Sequence, residues 1–168
     1  SCPSLSDSEK DDLEAALDRS GVKYISVLEK GYPVTIRGAG TAVNLIYADN
    51  DKLGEFFTVS DADTGKPLSP SEDGIYMTKR MSEVYHIKAG DTITIYDYEL
   101  NPHEIKINGI FVNYFGRNAV MSRETGERLF GEKDNCYYVI LDGAKEDEFI
   151  SDLSKLGFDI SFERSEAS

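Results

Sequence analysis

Residues 73–95, DGIYMTKRMSEVYHIKAGDTITI, alternate between two periodicities within one short stretch. Gly74 to Met77 reads as a short strand. Thr78 then stands where a hydroxyl caps the first free N–H groups of a helix, and Met81, Val84 and Tyr85 fall on one helical face. Ala89-Gly90-Asp91 turns the chain into Thr92-Ile93-Thr94-Ile95, whose strict alternation marks a half-buried strand. A strand, a one-face helix and a second strand in so little sequence predict a mixed α and β domain.

On the N-terminal side, Ser6 and Glu9 have capping-box spacing, Leu13, Ala16 and Leu17 form one apolar stripe, and Gly21 supplies a left-handed stop. Val22 to Glu29 and Val34 to Ile36 read as two strands separated by a Gly31-Tyr32-Pro33 turn. Past Gly38 and Gly40, Ala42 to Tyr47 is almost continuously apolar, as expected of a central strand covered on both faces. A short helical piece through Leu53 and Phe56 follows Asp49-Asn50-Asp51, and Ser60 to Pro67 has the composition of a hairpin tip.

On the C-terminal side, a strand from Glu104 slips its alternation at Gly109, which predicts a β-bulge, and resumes towards Val112 and Tyr114. Ala119 to Met121 is a strand, and Ser122 caps a helix ending near Phe130-Gly131. Cys136 to Leu141, Lys145 to Leu156 and Phe158 to Phe162 make a strand–helix–strand unit resembling the opening segment in size. The fold class expected is α+β: a porter-type βαβ layer built from both chain ends, residues 1–50 and 134–168, with a β-rich subdomain inserted at 51–133. No internal repeat is legible.

Composition narrows the function. The chain has 168 residues, enough to bury a core unaided, and 31 acidic against 18 basic residues give a net charge of −13. Nucleic acid recognition relies on Lys and Arg neutralising phosphates, and the longest basic cluster is Lys79-Arg80, so no nucleic acid partner is expected. No apolar run approaches the roughly 20 residues that span a bilayer, and no signal-peptide pattern opens the chain. The chain starts at Ser1, which fits a mature form or an excised domain.

A search for chemistry finds no catalytic constellation. The sequence has two histidines, His86 and His103; the first reads as a helix-end residue and the second as an exposed turn residue. Cys136 opens an apolar strand, which suits a buried structural thiol; whether it pairs with Cys2 stays open. Asp61-Ala62-Asp63-Thr64-Gly65 begins like a calcium loop, but its glycine comes one place early and no glutamate closes it. Gly38-Ala39-Gly40-Thr41 lacks both nucleotide-binding fingerprints. No cofactor or metal is expected. With ten Tyr and eight Phe, the aromatics supply core or contact surface, and Tyr114 and Phe115, where a strand meets a Gly-containing turn, are the candidate contact residues.

The ordered segments Asp73 to Ser82, Ile87 to Ile93, Ile107 to Ile110, Asn113 to Gly116 and Met121 to Gly131 resemble the extracytoplasmic domain of FtsX-like, or MacB-like, ABC transporter permeases. The resemblance covers the middle third to half of the chain. It implies a non-catalytic ectodomain on the extracytoplasmic face of the cell membrane, cut from a longer protein with transmembrane helices at both ends. Its partners would be those helices, a cytoplasmic ABC ATPase, and an extracytoplasmic substrate or protein. The family's permeases carry transmembrane helices and this chain has none, so a free-standing interaction or ligand-binding module is the alternative.

Overall fold

A computed structural model describes residues 5–56, 59–70, 72–112, 118–141 and 146–156, with Asn50 and Asp51 as backbone alone. In chain order the elements are α1 (Asp7–Ser20), β1 (Lys23–Ile36), β2 (Ala39–Ala48), α2 (Asn50–Phe56), β3 (Ser60–Asp61), β4 (Ile75–Thr78), α3 (Lys79–Tyr85), β5 (Thr92–Tyr96), β6 (Pro102–Val112), β7 (Ala119–Ser122), α4 (Arg123–Leu129), β8 (Cys136–Ile140) and α5 (Glu146–Lys155). The fold is α+β. The expected strand Phe158–Phe162 lies outside the described residues.

Six of the strands close on themselves. Following hydrogen-bonded neighbours, β1 leads to β2, β7, β4, β6, β5 and back to β1, so the sheet closes into a small barrel, with β1 and β5 joined at Val34 and Thr35. Alternate residues point inward: Val43, Leu45 and Tyr47 of β2, and Ala119 and Met121 of β7, join the interior, while Ile46, Ala48 and Val120 face out under α2. The expected bulge is present in β6, where Ile75 and Tyr76 of β4 sit opposite Ile107 and Gly109 and Asn108 is the extra residue. Its effect is to flip the pattern, so that Ile107 and Ile110 both meet the interior cluster and Phe111 turns outward.

The barrel also contains a repeat that the sequence conceals. Each half supplies a hairpin, then a strand and a seven-residue helix: β1, β2, β4 and α3 from the first, β5, β6, β7 and α4 from the second. The late strand of each half lies parallel to the hairpin of the other, β7 beside β2 and β4 beside β6. Tyr76 pairs with Val120 where the halves meet, and Tyr76-Met77-Thr78-Lys79 and Val120-Met121-Ser122-Arg123 hold corresponding places. Thr78 and Ser122 cap their helices through the N–H of Met81 (3.4 Å) and Thr125 (3.1 Å). Because β4 and β7 are antiparallel, α3 and α4 close opposite ends of the barrel, with Met81 and Tyr85 at one and Leu129 and Phe130 at the other.

One expectation fails at Gly31-Tyr32-Pro33. No turn forms there; β1 runs unbroken for 14 residues. Its first part pairs with β8 over Lys23–Val27, its last part with β5 at Val34 and Thr35, and β2 flanks Leu28–Ile36. Between the two outer partners β1 has a strand on one side only, so a proline without an N–H is accommodated at an edge. The true turn is the two-residue loop Arg37-Gly38, both with positive φ (49° and 80°), as a tight hairpin of this twist requires.

Beyond the barrel, the start of β1 and β8 carry an outer layer of two helices. Leu13, Ala16 and Leu17 of α1 and Phe149 and Leu153 of α5 form its core against Tyr24, Tyr137 and Val139. The α1 capping box and the left-handed Gly21 stop (φ 67°) are as the sequence predicts.

Candidate functional site

The outer layer meets the barrel through an apolar cluster that joins Ile25, Val27 and Cys136 to Ile46, Ala48 and Val120, and beside it through polar contacts of residues 131–135, which lead from α4 into β8. Arg123, first residue of α4, donates from Nη1 and Nη2 to the two carboxylate oxygens of Asp134, each at 2.8 Å. Its Nε reaches Asp49 Oδ1 at 2.9 Å, and Nη2 also reaches the Ser26 carbonyl at 3.1 Å. The Ser26 hydroxyl completes the ring by donating to Asp134 at 2.7 Å. One guanidinium thus ties α4, the end of β2, the start of β1 and the approach to β8. A planar fork suits this task, and an ammonium would not. The Asp134 hydrogen bonds outweigh the desolvation of half-burial and hold the Arg123 pKa above its usual value.

Two residues away, Glu132 is held by three side chains of the barrel wall. Its carboxylate accepts from Lys30 and Tyr32, and its carbonyl from the Tyr47 hydroxyl at 2.5 Å. Burial, reinforced by Glu132, pushes the Tyr32 pKa far above the usual tyrosine range, so it serves as a neutral donor. Burial and the charges of Asp134 and Glu132 do the same to Tyr47. Asn135, just before β8, extends the ladder: its side chain accepts from the Glu29 N–H and donates to the Glu29 carbonyl, both at 2.8 Å. Glu29 itself is buried, with Tyr138 donating to its carboxylate.

A cleft of about 590 Å³ opens beside this junction, lined by Asp7, Lys10, Arg123, Glu127, Gly131, Glu132, Lys133 and Asp134. Lys133 pairs with Asp7 at 3.4 Å, and Arg123 approaches Glu127 at 3.6 Å. Apart from Gly131 its lining is charged, with the four carboxylates of Asp7, Glu127, Glu132 and Asp134 against Lys10, Lys133 and Arg123. Among the described residues no cluster of His, Cys, Asp and Glu is arranged to hold a metal.

The residues weighed from sequence fall elsewhere. Tyr114 and Phe115 lie outside the described residues. His86 ends α3 in a left-handed conformation, and its carbonyl accepts from Arg37 at 2.9 Å. His103 is half-buried rather than exposed, with Nε2 2.8 Å from Asp97 Oδ2. Cys136 is buried as expected, but as a disulfide sulfur and not a thiol. Asp61 accepts from the N–H groups of Asp63 (2.9 Å) and Thr64 (2.8 Å), which makes the calcium-like segment a self-capped turn. Arg123 escapes sequence reading because a lone arginine after a helix cap has no motif; its one signal is its place matching Lys79 in the concealed repeat.

No sequence-family model matches the chain, and no curated protein sequence matches it. Among solved structures, the fold is similar to the extracellular domain of the noncanonic ABC-type transporter YknZ from Gram-positive bacteria, with a TM-score of 0.59 and 12% identity over 83% of this chain and 76% of that one. It is also similar to the periplasmic region of MacB from Actinobacillus actinomycetemcomitans, with a TM-score of 0.53 and 11% identity over 92% of this chain and 81% of that one. The chain has the fold of these two transporter domains.

Proposed function

We propose that this chain is a non-catalytic extracytoplasmic domain of an ABC transporter permease, carried on transmembrane helices of the same polypeptide and working with a cytoplasmic ABC ATPase. The observation that carries the reading is the fold shared with the extracellular domain of YknZ over 83% of the chain. The porter-type layer from both chain ends would then be α1, α5, β8 and the start of β1, within residues 1–50 and 134–168, and the inserted subdomain would be the barrel, which draws on the rest of β1 and on β2 as well as on residues 51–133. A disulfide at Cys136 suits a compartment outside the reducing cytosol. The domain's work would be to couple motion of the membrane helices to export of a substrate or activation of a partner.

The parent reading frame tests this. Apolar segments of about 20 residues are expected before Ser1 and after Ser168. A frame without them would overturn the proposal in favour of a free-standing interaction module.

A further inference from the structure

We infer that the tip of the β5–β6 hairpin, residues 97–101, is a docking knob for a protein whose receiving pocket is apolar and rimmed by Lys or Arg. Tyr98 and Leu100 project from it at 79% and 67% exposure. A mobile loop could display such residues without consequence, but this one is built. Asp97 Oδ1 accepts from the N–H groups of Glu99 (3.0 Å) and Asn101 (2.9 Å), and its Oδ2 meets His103 at 2.8 Å. The Leu100 N–H donates to the Asp97 carbonyl at 2.9 Å, and the Asp97 N–H to the Asn101 carbonyl at 3.1 Å.

Leu100 sits at φ +64°. That region suits Gly or Asn, and a leucine there is strained by its own Cβ. Strain and exposed apolar surface both oppose stability, and both fall on one residue of a firmly held turn. That combination fits a contact surface better than a connection.

Charge selects the partner. The exposed Glu99 and Glu104 flank the apolar pair, and Lys30, whose Nζ stands 5.0 Å from the centroid of the Tyr98 ring, is paired with Glu132. A second copy of this chain, at net charge −13, would bring like charge to the rim, and so would an anionic lipid surface. A basic-rimmed protein pocket meets both the apolar and the acidic parts. The inference stands apart from membrane attachment, since the knob would be the same on a free chain.

The test places photoreactive benzoylphenylalanine at position 98 of the chromosomal copy and irradiates intact cells. The expected result is an adduct with another protein whose cross-linked peptide, identified by mass spectrometry, is apolar and flanked by Lys or Arg. Leu100→Asp is expected to lower its yield at least tenfold. Leu100→Gly, which removes the side chain and relieves the backbone, is expected to lower it similarly with no fall in thermal midpoint. Absence of a protein adduct, an adduct with lipid or a second copy of the chain, a peptide without basic residues, or a yield unchanged by Leu100→Asp would each overturn the inference.

Discussion

Arg123 and Asp134 face each other as a two-pronged fork, with both nitrogen–oxygen distances at 2.8 Å. With the Arg123 side chain 22% and the Asp134 side chain 17% exposed, the pair is shielded from salt more than a surface pair would be. Arg123→Ala would leave Asp134 half-buried without its main partner, and a loss of about 2–4 kcal/mol in urea unfolding is expected. Arg123→Lys should recover less than half of it, because one ammonium cannot bridge Asp134, Asp49 and the Ser26 carbonyl together. Full recovery by lysine would show that charge alone matters at this junction.

Gly126 of α4 rests on the ring of Tyr47. A Cβ at that position would come within 2.4 Å of two ring carbons, in a core where Tyr47 is fully buried. Alanine normally favours a helix over glycine by about 1 kcal/mol; here Gly126→Ala is expected to destabilise by about 1–3 kcal/mol through overpacking. Tyr47→Phe keeps the ring and should give no relief in the double variant, whereas Tyr47→Leu should relieve part of the penalty. A stabilised Gly126→Ala protein in thermal melts would contradict this packing.

The pKa values of Tyr32, Tyr47, Tyr76 and Tyr137 are all raised, mainly by burial, Tyr137 to about 12. In the unfolded chain these phenols lose their protons near pH 10, while the folded chain keeps them. The native state therefore binds more protons above pH 10, and stability must fall as pH rises through that range. Phenolate absorbance at 295 nm should show a late cooperative step coinciding with loss of circular dichroism. Smooth titration of all ten tyrosines before any unfolding would refute the assignment.

Cys136 is disulfide-bonded, and the sequence holds one other cysteine, Cys2. Denatured without reductant, the chain is expected to show no reactive thiol. Reduction should lower stability by about 2–5 kcal/mol, the range typical of a disulfide closing a long loop. Two thiols per chain before reduction would argue against an oxidising compartment.

Much of the fold is legible because its signals are local. Ser6 with Glu9, Thr78, Ser122 and Gly21 mark helix ends through contacts spanning three or four residues, and the slip at Gly109 is visible in the alternation itself. What is hidden is long-range. Pro33 reads as a break because sequence does not reveal that β1 lies at an edge there. Barrel closure sets Asn44 beside Asn118, whose N–H donates to the Asn44 carbonyl at 3.3 Å, and nothing local announces that contact. The repeat is concealed because its halves share capping hydroxyls and apolar periodicity, with little identity. At the junction, Arg123 and Asp134 are two among many surface-type charges until the fold brings them together. Nothing in the identities of Tyr98 and Leu100 announces their exposure or the positive φ of Leu100.

The exchange of strands between the two halves of the barrel also bears on how the chain is made. The first hairpin leaves the ribosome with β2 lacking the neighbour it will have on its far side, because that neighbour, β7, belongs to the second half. β4 likewise waits for both β6 and β7. Neither half can complete its hydrogen-bond ladder alone, so a fragment ending at Val112 should not fold, and the barrel should assemble late and slowly, as nonlocal pairings do. Until then the apolar faces of β1 and β2 stand open, which makes the interval before residues 119–122 emerge the time when this polypeptide most needs a chaperone.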